Sequence, residues 1–208
     1  DSDFSIMEKR FDHAHRRNIR QAMKKNLKVV ISDDEAGMKE FYRLHIMTRK
    51  KLGVPVQPWK FFRSIQQNLI ENDLGFYMLV YHQSTCAAAA LFLKWQKTLT
   101  YKFGASDISM LDLRPNNILF MEAIRLACEG GYEILDFGKT EKMNLGLRRF
   151  KSGWGADELP LTYSYFLKKK KQPNIRSGKS VEILTKVIQY SPTIVCRLIG
   201  ELLYKYYP

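Results

Sequence analysis

Cysteine and histidine are scarce in this chain, which has three cysteines and four histidines among 208 residues. Cys86, Cys128 and Cys196 are odd in number, far apart and set in apolar surroundings, which predicts buried, reduced thiols rather than a disulfide framework. This usage favours a cytosolic protein. No histidine stands at a metal-ligand spacing from a cysteine, so we expect no metal site.

The sequence also lacks the compact motifs of two large enzyme classes. It contains no Gly-x-Ser-x-Gly nucleophile elbow and no Walker-type phosphate loop. Hydrolase and phosphotransferase functions therefore have little support. The apolar segment near the C-terminus is interrupted by Arg197, Glu201 and Lys205 and is too short to span a bilayer.

Acidic residues are outnumbered, 21 against 34 lysines and arginines, which gives a formal net charge of +13. Residues 9–28 hold eight basic residues and one acid, and residues 168–179 hold six basic residues and no acid. One basic run is as often a solubilising surface as a binding site. Two separate runs favour a polyanionic partner: nucleic acid, anionic lipid or a nucleotide-linked substrate.

The apolar content of 45%, with 12% aromatic residues, predicts a globular protein with one sizeable core. The chain opens on Asp1 rather than Met, and no signal-peptide pattern follows. We therefore expect a piece of a longer protein.

Periodicity predicts an alternation of helices and strands. Residues 138–156, which follow a short buried strand, are expected to form a basic loop punctuated by glycine. The predicted helices cover residues 11–25, 34–52, 59–70, 118–129 and two segments after Ser180 that are separated at Pro192, and the predicted strands cover residues 27–32, 75–81, 87–95, 98–105, 133–137 and 161–167.

The connections between these elements predict a mixed sheet. Short separators make strands 75–81, 87–95 and 98–105 antiparallel neighbours. In the third strand, Leu99, Tyr101 and Phe103 alternate with polar residues and are expected on one face. The helix at 118–129, with Asn117 as its expected N-cap, then crosses over to strand 133–137, which should run parallel to 98–105.

We divide the chain into a domain at residues 1–167 and a C-terminal part at residues 168–208. That part consists of a cationic linker and an amphipathic helix. Amphipathic terminal helices usually pack on protein, so docking on the remainder of the protein is the first expectation. Peripheral contact with a membrane is the alternative.

Short motifs in a fixed order resemble the FemABX family of aminoacyl or acyl transferases over about residues 16–166. The resemblance and the element order imply an α/β (α+β), GNAT-like acyltransferase fold with a mixed, mostly antiparallel central sheet flanked by helices. They further imply the second of two GNAT-like domains, the first preceding Asp1. The motifs are Arg17-Asn18-x-Arg20-x-Ala22, Lys51-Leu52-Gly53-Val54-Pro55, Tyr101-x-x-Gly104-Ala105-Ser106, Pro115-Asn116-Asn117, Asp136-Phe137-Gly138 and Phe150-Lys151-x-x-Trp154-Gly155.

The resemblance implies transfer of an aminoacyl or acyl group to an amine of a cell-envelope or glycan-linked acceptor, in the cytoplasm or at the inner face of the membrane. The donor would be aminoacyl-tRNA or acyl-CoA, with no tightly bound cofactor. Fem proteins often have Phe-Gly where this chain has Trp154-Gly155, which weakens the case for a peptidoglycan precursor as acceptor.

In GNAT-type folds two parallel strands splay apart and the acyl donor enters the wedge between them, here between strands 98–105 and 133–137. The resemblance implies that Lys151 lies near the reacting ester, where its charge can stabilise an oxyanion. Asp136 is the second catalytic candidate, to orient Lys151 or to accept a proton. The alternatives are an exposed lysine on a basic loop and a carboxylate that caps the turn after its strand.

The candidate substrate-binding residues come from the same motifs. Arg17 and Arg20 can bind phosphate in bidentate fashion. Tyr101 and Trp154 are candidates for an acceptor pocket or for stacking on a terminal base, although such aromatics are more often core residues. The set is completed by Ser106, Asn116 and Phe150.

GNAT enzymes that use coenzyme A normally have a glycine-rich loop where this chain has Asp112-Leu113-Arg114-Pro115-Asn116-Asn117. Without glycine, close approach of the backbone to a pyrophosphate is difficult, which favours another donor. Two alternatives stay open: an acetyl-CoA-dependent N-acetyltransferase, and a noncatalytic module that binds tRNA or another polyanion.

Overall fold

The computed structural model describes residues 3–164 and 179–204. Five strands form one sheet in the order β1-β2-β3-β4-β5, with antiparallel pairs throughout except for the parallel pair of β4 and β5. The strands are β1 (Leu27–Ser32), β2 (Gly75–His82), β3 (Thr85–Trp95), β4 (Thr98–Ser106) and β5 (Ile134–Asp136), and the helices are α1 (Phe4–Arg10), α2 (His13–Met23), α3 (Glu35–Leu52), α4 (Trp59–Asn68), α5 (Pro115–Glu129), α6 (Leu145–Ser152), α7 (Lys179–Tyr190) and α8 (Thr193–Leu203).

The two faces of the sheet carry separate cores. On one face, α1, α2 and α5 pack over side chains such as Met78, Phe92 and Leu99. On the other face, α3 and α4 pack over side chains such as Tyr77 and Leu91. The apolar run of β2 and β3 is therefore explained by burial on both sides.

Strand β4 does not alternate over its whole length as predicted. Phe92 pairs with Tyr101 and Leu91 with Phe103, so Lys102 is an extra residue and β4 contains a bulge. Because a bulge reverses the alternation, Leu99 and Tyr101 face α5 whereas Phe103 faces α3. The prediction that all three share one face is wrong.

Several other boundaries differ from the prediction. Helix α5 starts at Pro115 after Arg114, and Asn117 lies inside it rather than capping it. A helix, α6, occupies part of the predicted loop at 138–156. The predicted strand at 161–167 is not formed at 161–164, and its remainder lies outside the described residues. The separate helix α1 was not predicted, because its capping residue, Asp3, stands near the start of the chain.

Helices α7 and α8 pack on α3 and the segment after it. Ile188 and Cys196 are fully buried in the core on that face, and the Gln189 side chain donates to the Lys51 carbonyl. Gly200 lies directly against the backbone of Val56. The predicted linker at 168–179 and the boundary at 167 fall in or beside the part outside the described residues, so that boundary stays a prediction.

Across the described residues, none of the helices has the length and apolar character needed to cross a membrane.

The contact at Gly200 makes the docking of α8 testable. A Cβ at this position would lie 2.1 Å from the Val56 carbonyl oxygen, so we expect Gly200→Ala to lower the free energy of unfolding by about 1–3 kcal/mol. Gly146→Ala is the matched control, since the nearest atom to its added Cβ is 4.0 Å away and alanine favours the helix. Chemical denaturation measures both. An unchanged midpoint for Gly200→Ala would contradict this docking.

Candidate active site

The parallel strands β4 and β5 are paired over only three residues, Thr98 with Ile134, Leu99 with Leu135 and Thr100 with Asp136. Strand β4 continues to Ser106, whereas the chain after β5 turns at Gly138, which has a φ of 68°. An added Cβ on Gly138 would lie 3.4 Å from the Tyr101 carbonyl oxygen, so the two segments part just beyond this contact. The backbone of β4 beyond Tyr101 has no strand partner on that side among the described residues.

Lys151 lies at the C-terminal end of α6 and reaches back to the segment that follows β5. Its Nζ donates to the Gly138 carbonyl at 2.9 Å, the Lys139 carbonyl at 3.4 Å and the Thr140 Oγ1 at 2.7 Å. All three ammonium protons thus have protein acceptors. Burial lowers the pKa of Lys151, and the negative charge of Asp136 partly opposes this shift. The ammonium group is therefore partly desolvated and held in place.

Asp136 caps the turn after β5: its Oδ1 accepts the Gly138 N–H at 2.7 Å. This is the alternative that the sequence left open for this residue. Its charge still acts on the ammonium of Lys151, although the two side chains are not hydrogen-bonded to each other. Asp136 thus shapes the turn and tunes the lysine at the same time.

The aromatic candidates form one cluster with Phe120 of α5. Tyr101 and Phe150 have ring centroids 4.8 Å and 5.3 Å from that of Phe120. Trp154 is 1% exposed and lies at an angle to Phe11 at 4.9 Å, so it is a core residue with no surface for a ligand in this conformation. Burial raises the pKa of Tyr101 to about 12, so its hydroxyl is neutral near pH 7.

Ser106 and Asn116 meet where β4 ends. The Asn116 side-chain amide donates to Ser106 Oγ at 3.5 Å, and the Ser106 N–H donates to Thr48 Oγ1 at 3.1 Å. Thr48 belongs to α3, so this contact joins both layers of helices to the end of β4. These two predicted site residues lie together at the open end of the wedge.

Arg17 and Arg20 are exposed on α2 and contribute to a cationic ridge with Arg16 and Lys24. They lie on a different helix from Lys151 and do not contact it. The link between the two sites is the start of α2. There the Asp12 N–H donates to the Gly153 carbonyl at 2.8 Å, directly after α6.

The Asp12–His15 pair was missed by the sequence analysis. Asp12 Oδ1 accepts the His15 N–H at 2.6 Å and lies 2.8 Å from His15 Nδ1. The buried imidazole packs against Trp154, with centroids 4.3 Å apart. An Asp followed three residues later by its hydrogen-bond partner is a helix N-cap pattern that the sequence does contain. Thr140 was also missed, and no sequence pattern marks it.

The chain matches the family model described as an acetyltransferase (GNAT) domain over residues 13–156. The chain belongs to this GNAT family. Comparison with curated proteins gives no match. The GNAT fold, with its mixed sheet flanked by helices, is thereby confirmed, and so is its membership of an acyltransferase family.

Solved structures show the same fold for this GNAT domain. The crystal structure of FemX has a TM-score of 0.66 at 20% identity, over 74% of this chain and 56% of FemX. The chain thus spans a little over half of the length of FemX. The aminoglycoside acetyltransferase AAC(6')-Iy, solved with a bisubstrate analogue of coenzyme A, has a TM-score of 0.55 at 11% identity over 69% and 99%. The acetyltransferase meta-AAC0020 from an uncultured soil metagenomic sample, solved with sisomicin, has a TM-score of 0.53 at 14% identity over 68% and 97%.

The opposing effects on Lys151 in this GNAT domain give a prediction about its pKa. Asp136→Asn keeps an oxygen that accepts the Gly138 N–H but removes the negative charge, so the pKa of Lys151 falls further. Carbon NMR of lysine labelled at Cε follows the titration, with Lys151 assigned by its loss in Lys151→Arg. Glu141→Gln, which removes an exposed charge from the same loop, is the control. A midpoint unchanged or raised by Asp136→Asn would refute the coupling.

The Asp12 cap gives a second prediction, for stability. Burial raises the pKa of Asp12, but the hydrogen bonds from His15 outweigh this effect and leave the pKa below its ordinary 3.8. Asp12→Ala should therefore lower the free energy of unfolding by about 1–2 kcal/mol near neutral pH. Because the folded-state pKa is depressed, the contribution is present above the unfolded-state value and is lost as pH falls through the folded-state value.

Denaturation at a series of pH values measures this difference. Asp112→Ala, at an exposed acid outside the cap, is the control and should change stability by less than about 0.5 kcal/mol. If Asp12→Ala and Asp112→Ala cost the same at neutral pH, the cap does not hold α2 against α6.

Proposed function

We propose that this chain is a FemAB-type N-acyltransferase domain that moves an aminoacyl or acyl group from an activated ester to an amine of a cell-envelope or glycan-linked acceptor. The observation that carries the proposal is the position of the Lys151 ammonium. It lies 2.9 Å from the Gly138 carbonyl oxygen and 2.7 Å from Thr140 Oγ1, on the segment where β4 and β5 part.

The reaction that this position suits is aminolysis. The acceptor amine attacks the ester carbonyl carbon, a C–N bond forms, and the carbonyl oxygen becomes an oxyanion. An ammonium held in a partly desolvated site stabilises that charge. The C–O bond of the ester then breaks, and the proton lost by the amine ends on the leaving oxygen.

The contacts of Lys151 indicate how a substrate oxygen enters its shell. The bond to the Lys139 carbonyl is the longest of the three, at 3.4 Å, and is therefore the weakest. An oxyanion that replaces this contact leaves the bonds to Gly138 and Thr140 in place. Thr140 and the Gly138 carbonyl would thus aim the ammonium, and Lys151 would be the group that touches the reacting atoms.

Aminoacyl-tRNA is the donor that we propose, and the start of α5 supports it. Pro115 has no N–H, and the N–H of Asn117 donates to the Arg114 carbonyl at 3.0 Å. Few amides at this helix start are therefore free for a pyrophosphate. The exposed arginines of α2, Arg17 and Arg20, offer phosphate contacts that suit a larger polyanion. Such a donor places the reaction in the cytoplasm.

Acetyl-CoA is the second candidate donor, because AAC(6')-Iy has the same fold and was solved with a coenzyme A derivative. The acetylated product would again be an amide. Only the leaving group, a thiol in place of a hydroxyl, differs.

A transfer assay tests the catalytic assignment. Charged tRNA or acetyl-CoA is offered with a panel of amino sugars and lipid-linked or peptide amines, and new amides are detected by mass spectrometry. Lys151→Ala should lower the rate about a hundredfold, as expected for loss of an oxyanion donor. Lys142→Ala, which removes an exposed lysine just before α6, should leave the rate unchanged. Transfer that survives Lys151→Ala would remove the assignment.

Binding measurements separate the donors. Affinity for tRNA should fall steeply as salt rises, and Arg17→Ala with Arg20→Ala should weaken binding and flatten the salt dependence by about one unit of log–log slope per lost phosphate contact. Lys60→Ala with Arg63→Ala removes the same charge from α4 on the opposite face of the sheet and is the control. Transfer from acetyl-CoA without tRNA binding would favour the second donor. Binding of tRNA with no transfer to any amine would favour a noncatalytic module.

A further inference from the structure

Helices α7 and α8 bury one face and expose a second apolar face. Ile188 and Cys196 point into the core on the α3 side of the sheet. Residues spaced three or four apart on each helix are exposed instead, and among them Ile194, Leu198 and Leu202 are 69%, 55% and 71% exposed. The corresponding exposed residues of α7 are Ile183, Val187 and Tyr190. Leu52, at the adjoining end of α3, is exposed as well.

This apolar face is surrounded by positive charge. Lys186 and Arg197 are exposed on the two helices, and Lys51 is exposed beside them, where its carbonyl accepts a hydrogen bond from Gln189. The sequence just before α7 adds a run of four lysines, residues 168–171. In residues 168–208, nine lysines and arginines stand against the two acids Glu182 and Glu201. Lysine is depleted at protein–protein interfaces, whereas an apolar helix face flanked by lysine and arginine is typical of helices that lie in a bilayer surface.

We propose that the α7–α8 hairpin is a docking surface for an anionic lipid bilayer. Its exposed isoleucine, leucine, valine and tyrosine side chains enter the boundary between headgroups and acyl chains, and the surrounding cations contact acidic headgroups. Both helices are too short to cross the membrane, so they lie in its plane. This inference is independent of the acyl-transfer proposal, because lipid binding is measured without any donor or acceptor.

Vesicle flotation with the 208-residue chain tests the surface. The chain should bind vesicles of phosphatidylcholine with phosphatidylglycerol and bind vesicles of phosphatidylcholine alone at least about tenfold more weakly. Ile194→Ser with Leu198→Ser should weaken binding to the anionic vesicles about tenfold or more, because two exposed apolar side chains no longer enter the lipid. Trp95→Ser with Leu159→Ser alters exposed apolar residues away from the hairpin and should have no effect.

A second pair of variants tests the charge. Lys51→Ala with Lys186→Ala should weaken binding to anionic vesicles severalfold, whereas Arg17→Ala with Arg20→Ala, on the opposite face of the sheet, should not. Thermal unfolding of each variant confirms that the fold is intact, as expected for exposed positions.

Three results would overturn the proposal. The first is no binding to either kind of vesicle. The second is equal loss of binding with the α2 and the hairpin charge variants, which indicates attraction by net charge alone. The third is concentration-dependent self-association that Ile194→Ser with Leu198→Ser abolishes in the absence of vesicle binding, which assigns the face to a second copy of the chain.

Discussion

The candidate active site depends on one constraint: after three paired residues, β5 stops following β4. The continuation of β5 is bonded elsewhere. Asp136 closes the turn at Gly138, and Lys151 of α6 holds the carbonyls of Gly138 and Lys139 together with the Thr140 hydroxyl. Without these bonds, the unpaired backbone of β4 beyond Tyr101 would be a ready partner for the same segment. The lysine proposed to stabilise the reaction is therefore also the side chain that keeps the wedge open.

Helix α6 is itself held by the first helices of the domain. Asp12 caps α2 and also receives the chain after α6, through its N–H to the Gly153 carbonyl. A side chain at Gly153 would collide with Asp12 and His15, since an added Cβ would lie 2.7 Å and 2.6 Å from their nearest atoms. The position of Lys151 is thus set by contacts about a hundred residues away in sequence, and buried Trp154 seals the same junction.

The sequence predicted what depends on local pattern. The hairpins, the crossover to a parallel β5 and the approach of Lys151 to the end of that strand follow from alternation, connection length and motif order. The bulge at Lys102 was not predictable, because a single inserted residue leaves the alternation of Leu99, Tyr101 and Phe103 intact in the sequence while reversing it in space. Trp154 carries no local sign of its burial, which arises from Phe11 and His15 far along the chain.

The two sides of the sheet have different electrostatic and apolar surfaces, and this division bears on both proposals. The cationic ridge lies on α2, over the core shared with α5, whereas the exposed apolar side chains lie on α7 and α8, over the core shared with α3. A bilayer in contact with the hairpin would leave the arginines of α2 facing the aqueous phase, where a polyanionic donor arrives. The wedge opens at the strand ends between these two layers, so a lipid-linked amine and a soluble donor would approach it from opposite sides without competing for one surface.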